Sequence, residues 1–140
     1  GKNSQDGYER VDFDTLLAQS DILSLHCPLT DRTQNIINAQ ALAKMKKTAI
    51  LINVARGPVV DEQALYDALV NGTIAAAGLD VLVKEPIAAD NPLGKIKDST
   101  KLLITPHMAW GSHEARERCA KEVYQNIESF LNGKERNIVI

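Results

Sequence analysis

Four side chains in loops that close apolar runs have the types needed for acid–base work on a small carboxylic acid. Arg56 opens the Arg56-Gly57-Pro58 break after the run over residues 48–54, Asp80 and Glu85 end the run over residues 74–81, and His107 follows Thr105-Pro106. Taken singly, a charged loop residue is most often only solvated. Taken together they make a chemical set. A guanidinium held by glycine and proline offers a planar fork that suits a carboxylate. An imidazole carries protons near neutral pH, and a carboxylate beside it favours the imidazolium and orients the ring. Arg56, Glu85 and His107 therefore fit proton-coupled reduction of a 2-keto acid.

Other residues carry weaker signals. His26-Cys27 has the types of a metal or nucleophile pair, but neighbours on a strand point to opposite faces, so strand packing is the stronger expectation. Cys27 and Cys119 are far apart with no Cys-x-x-Cys spacing, which indicates neither a disulfide framework nor a metal site. His113 falls in the first turn of a helix, where a cation is slightly disfavoured. Trp110 is equally readable as a wall of the site and as a packed corner.

The elements that must position these groups follow from periodicity. Asp12 is a good N-cap for a short helix burying Phe13, Leu16 and Leu17, and residues 21–28 form an apolar run closed by proline. Asn38 caps a helix with Ala41, Leu42 and Met45 inward. The β-branched run over residues 48–54 has the look of a strand covered on both faces. Asp61 caps a helix carrying Ala64, Leu65, Ala68 and Leu69, stopped by Asn71-Gly72. Strands are expected over residues 74–81 and 102–105. Ser112 caps a long last helix, about 112–132, with an apolar stripe through Cys119, Ala120, Val123, Tyr124, Ile127, Phe130 and Leu131. Strands alternating with helices predict an α/β fold with a parallel sheet and right-handed crossovers. Ligands bind such sheets outside the carboxyl ends of the strands, where Arg56, Asp80, Glu85 and His107 collect.

Composition narrows the partners. In 140 residues, 44% hydrophobic and 24% charged, 16 basic side chains face 18 acidic ones for a net charge of -2, which leaves no basic surplus for nucleic acid. The apolar runs are far short of the ~20 residues that span a bilayer. A soluble, cytoplasmic protein with neither nucleic-acid nor membrane partners is expected.

Leu25-His26-Cys27-Pro28-Leu29-Thr30, Ile52-Asn53-Val54-Ala55-Arg56-Gly57-Pro58-Val59-Val60-Asp61-Glu62, Gly78-Leu79-Asp80-Val81 with Glu85-Pro86, and Thr105-Pro106-His107 occur in that order. In this the chain closely resembles the D-2-hydroxyacid dehydrogenases, NAD(P)-dependent enzymes that interconvert 2-hydroxy and 2-keto acids. The resemblance implies that Arg56 binds the substrate carboxylate and carbonyl, that His107 donates a proton to the carbonyl, and that Glu85 pairs with His107. It also implies that Cys27 and Pro28 border the adenosine side of NAD (or NADP), that Val54, Ala55 and Arg56 run beside the cofactor, and that Asp80 bonds the nicotinamide carboxamide. The loop from His107 through Ala109 to Trp110 would finish that pocket. His107-Met108-Ala109-Trp110 with Asp90-Asn91-Pro92-Leu93 is most similar to glycerate dehydrogenases, also called hydroxypyruvate reductases.

One hallmark is missing: no two of the eight glycines stand as Gly-x-Gly, so the Gly-x-Gly-x-x-Gly fingerprint that holds a pyrophosphate at a helix N-terminus is absent. The implied architecture is a Rossmann-like nucleotide-binding domain lacking its first two strands, the C-terminal part of a longer enzyme whose substrate-binding domain lies elsewhere. In such a fold the missing strands belong between residues 8–11, read as a short strand, and residues 22–27. Two ways to close the gap are expected: a homodimer formed through strand edges and the last helix's stripe, or pairing of the N-terminal segment with residues 22–27. The 140 residues alone are expected to transfer negligible hydride. A non-catalytic NAD-sensing protein of the corepressor type is the alternative, since that class shares the fold and the triad.

Overall fold

The computed structural model describes residues 8–139, in two compact units divided after His107. In the first unit, residues 8–107, the order is α1 (Phe13–Gln19), β1 (Ile22–Leu25), α2 (Ala39–Lys44), β2 (Ile50–Asn53), α3 (Glu62–Asn71), β3 (Ala76–Leu79) and β4 (Leu102–Ile104). Short 3-10 turns over Gly57–Val59 and Pro92–Lys95, which periodicity did not predict, follow β2 and precede β4. The strands form one parallel sheet in the order β1-β2-β3-β4, with Ile52 opposite both Ser24 and Gly78.

The predicted caps are present. The side chains of Asp12, Asn38 and Asp61 accept from the backbone N–H groups of Thr15, Ala41 and Ala64, and Gly72 ends α3 at φ 68°. Leu42, Leu51, Leu65 and Leu69 are fully buried, each such side chain contributing about 2 kcal/mol by removal from water.

Three expectations are corrected. Among the described residues of the first unit the strands are covered on one face only: Leu23, Leu25, Leu51, Ala77 and Leu79 are buried against the helices while Ile22 and Ile50, on the other face, are exposed. Right-handed crossovers that step always to the next strand in one direction put every connecting helix on the same face. Residues 8–11 form no strand and do not pair with β1; their side chains are exposed, so no buried face would reward extension. Of the residues assigned inward on α1, only Leu17 is buried, because this seven-residue helix packs along α2.

The second unit comprises residues 108–139. Its helix α4 (His113–Leu131) is capped by Ser112 as predicted and is followed by Gly133 at φ 64°, yet none of its residues is buried. Along its apolar stripe Phe130 is 82% and Leu131 77% exposed. Periodicity identified the stripe, and the other residues of the second unit leave it open. No helix of the described residues is long and apolar enough to cross a membrane.

Candidate active site

Two depressions open at the carboxyl ends of the strands. One, of about 520 Å³, is lined by His26, Cys27, Pro28, Leu29, Val54, Ala55 and Arg56, beyond β1 and β2. The other, of about 540 Å³, lies beyond β3 and β4 and is lined by Asp80, Leu82, Glu85, Pro86, Ile87, Ile104, Thr105, Pro106 and His107.

Arg56 is placed by the residue that interrupts the apolar run of β2. Asn53, 1% exposed, accepts from Ala55 N–H at 3.0 Å and donates through Nδ2 to the Arg56 carbonyl at 3.0 Å, turning the chain sharply out of the sheet. A buried amide must satisfy its polar groups, and here the turn satisfies them. The 3-10 turn that follows is tied to the segment before α2: Asn35 N–H donates to the Pro58 carbonyl at 2.8 Å and Asp61 N–H to the Ile37 carbonyl at 3.0 Å. Gly57 lies against the next loop so closely that a Cβ would sit 2.0 Å from the Leu82 carbonyl. The Arg56 guanidinium, on an exposed side chain, donates from Nη1 to the Ala55 carbonyl at 2.7 Å.

The β3 and β4 ends are joined by side chains. Glu85 accepts from Leu82 N–H through Oε1 at 2.9 Å and meets His107 Nδ1 through Oε2 at 2.8 Å. The Leu82 N–H first, then the bond to His107, hold the Glu85 carboxyl below the ordinary glutamate range, against partial burial and the nearby Asp80 carboxylate. An ionised carboxylate only accepts, so the proton between them belongs to Nδ1, and a proton exchanged with a substrate would pass through Nε2. Asp80 is buried and accepts from the Thr105 hydroxyl at 2.6 Å. The Asp80 and Thr105 amides donate to the carbonyls of Asn53 and Leu79, at 2.9 Å each, so both residues are fixed by backbone on adjoining strands. His107 adopts a left-handed backbone, φ 54°.

The structure thus brings Glu85, His107, Asp80 and Thr105 to one depression and places Arg56 at the adjoining strand end with Cys27, Pro28, Val54 and Ala55 in the other. Ala109 and Trp110 belong to the second unit, where a turn closed by Gly111 N–H on the Met108 carbonyl at 2.8 Å holds them. His26 is exposed and shares a 2.8 Å hydrogen bond with the Ser24 hydroxyl, while Cys27 packs against the core. His113 lies within 4.0 Å of Glu117 on the surface of α4. Among the described residues, no group of three His, Cys, Asp or Glu side chains could hold a metal ion.

Asn53 and Thr105 escaped the reading of the sequence as site residues. Asn53 carried a usable signal, a polar side chain in an otherwise apolar strand; Thr105 carried none.

The two depressions fit the ends of a dinucleotide better than its middle. The one beyond β3 and β4 offers apolar lining and a buried carboxylate, the one beyond β1 and β2 a more polar lining with an exposed guanidinium, but the chain contains no glycine cradle for the phosphates.

Residues 1–109 match the family model "D-isomer specific 2-hydroxyacid dehydrogenase, NAD binding domain". The chain is 50% identical over 135 residues to a glycerate dehydrogenase of Methylorubrum extorquens, covering 96% of this chain and 42% of that protein. It is 47% identical over 129 residues to a hydroxypyruvate reductase of Blautia hydrogenotrophica, covering 92% and 39%. It thus spans about two fifths of the length of these curated relatives. Among solved structures, D-lactate dehydrogenase with NAD+ from Lactobacillus jensenii superposes with a TM-score of 0.85 at 35% identity, over 97% of this chain and 44% of that one. An acyclic imino acid reductase in complex with NADPH and D-Arg gives 0.87 at 40% identity, over 99% and 43%.

Proposed function

The chain belongs to the family of NAD-binding domains of D-isomer specific 2-hydroxyacid dehydrogenases, and from that premise we propose that it is the C-terminal part of the NAD(P)-binding domain of an oxidoreductase that interconverts a 2-keto and a 2-hydroxy acid. Hydroxypyruvate and D-glycerate are the proposed pair. The observation that carries this is the 2.8 Å bond between Glu85 and His107 at the ends of adjoining strands.

In this proposal NAD(H) or NADP(H) supplies or takes up the hydride. Cys27 and Pro28 would border its adenosine, Val54, Ala55 and Arg56 would run alongside, and Asp80 would accept from the nicotinamide carboxamide. Arg56 draws the substrate carboxylate by charge and by its fork of N–H donors. His107, held through Nδ1 by Glu85, gives the proton on Nε2 to the carbonyl oxygen during reduction and takes it back during oxidation. Glu85 fixes the ring and keeps the Nδ1 proton in place, so that Nε2 faces the reaction.

The test is oxidation of NADH and NADPH by the full-length protein with hydroxypyruvate, glyoxylate and pyruvate. Turnover with at least one keto acid, lost by roughly a thousandfold in His107→Gln, is expected. No oxidation with any of them, or full activity in His107→Gln, would overturn the proposal. The 140 residues alone are proposed to be inactive for want of a phosphate cradle. We further propose a cytoplasmic homodimer with neither nucleic-acid nor membrane partners; the apolar stripe along α4 is what supports the dimer. Light scattering of the full-length protein checks it: a monomeric mass would refute the dimer.

A further inference from the structure

Just beyond β3, two consecutive backbone N–H groups are taken by two different carboxylates. Leu82 N–H donates to Glu85 Oε1 at 2.9 Å, and Val83 N–H donates to Glu62 Oε1 at 2.8 Å. Glu62 comes from the first turn of α3. Its Oε2 accepts from Asn91 Nδ2 at 2.8 Å, while Asn91 Oδ1 accepts from Leu93 N–H at 3.0 Å. The second bond dictates which way the buried Asn91 amide faces, so only a donor can meet Glu62 there. Gly57 closes on the other side of the same Leu82–Val83 peptide, where a Cβ would lie 2.0 Å from the Leu82 carbonyl. That peptide is gripped at its carbonyl by packing and at its N–H by Glu62.

Burial does not explain the grip. Val83 is 54% exposed, and water would serve its N–H equally well. Capping does not explain it either, because Asp61 already caps α3. What depends on the grip is the shape of the 82–85 turn, which curls Glu85 back onto Leu82.

We infer that Glu62 is a positioning residue for the Glu85–His107 pair: by holding the 82–85 turn it presents Leu82 N–H to Glu85 Oε1 and so aims Glu85 Oε2 at His107 Nδ1. The catalytic consequence rests on the reduction proposed above; the geometry does not. Three groups act on Glu85, and the strongest is the Leu82 N–H, ahead of the His107 ring; the Asp80 carboxylate opposes both. Loosening the turn therefore raises the pH at which Glu85 titrates.

The test swaps the polarity of the Glu62–Asn91 contact. Glu62→Gln sets amide against amide if it keeps an acceptor for Val83. Asn91→Asp keeps the Leu93 bond but sets carboxylate against carboxylate. The double variant Glu62→Gln/Asn91→Asp restores one donor and one acceptor with the charge unchanged. Each single variant of the full-length protein should lower kcat on the order of tenfold with KM for NADH unchanged. In an NMR titration of the Glu85 carboxyl carbon, each should move the midpoint up, and the double variant should recover both properties. Single variants that melt earlier but keep the wild-type midpoint and kcat would overturn the inference, as would a double variant that fails to recover, in folding or in titration. A wild-type protein inactive on every keto acid, with the Glu85 midpoint lost and recovered as stated, would retire the reaction and leave this positioning role standing.

Discussion

The ends of β2 and of β3 with β4 solve one problem in two ways. Beyond β2 the backbone is braced: Asn53, the bridge to the segment before α2, and Gly57 fix the turn, while the Arg56 head rests by one hydrogen bond on the carbonyl before it. Beyond β3 and β4 the polar side chains themselves are braced, Glu85 on His107 and Asp80 on Thr105. The difference fits the tasks proposed for them. A proton carrier works only with its ring fixed and its proton on a defined nitrogen. A guanidinium needs a fixed root and a reach.

That contrast can be broken. The largest effect belongs to the braced pair: His107→Gln should lower kcat/KM by about a thousandfold, read by steady-state keto-acid reduction. Arg56→Lys, which keeps the charge and loses the fork, should cost about a hundredfold, with KM for the keto acid raised and the melting temperature unchanged. A wild-type KM would show that the head does not bind substrate. Asn53→Ala strips the brace from the Arg56 turn and leaves the buried Ala55 N–H without its acceptor. A loss of about 2 kcal/mol in denaturant unfolding is expected. Asp61→Ala, which removes only the α3 cap near both loops, should cost about 1 kcal/mol by the same measurement and leave the reaction intact.

The smallest effect is one of pH. Glu85 titrates below its ordinary value in the folded protein, so its bonds stabilise the fold fully above the unfolded glutamate pKa, and the contribution fades as pH falls through the folded value. Melting curves of wild type and Glu85→Gln should differ at neutral pH and converge in acid. A difference that grows on acidification would reverse the sign.

The caps at Asp12, Asn38, Asp61 and Ser112 and the Asn71-Gly72 stop were legible because each is a local event with its own chemistry. The parallel order was legible from alternation, and Glu85 with His107 from their place after successive strands. What the sequence withheld was relational. Nothing local says that three crossovers share a face, so the run over residues 48–54 read as doubly covered. The stripe on α4 is genuine as a pattern, but a pattern does not name its cover. Likewise the approach of Gly57 to Leu82 joins loops more than twenty residues apart, and no spacing rule reports it.

The positive φ of His107 bears on how an inert form of the proposed enzyme is to be made. Asparagine and glycine tolerate that conformation well, whereas valine, isoleucine and threonine do not. His107→Asn is therefore the replacement that removes the imidazole and keeps the path of the chain, so that a keto acid soaked into crystals of that variant would be caught unreacted in an undistorted pocket.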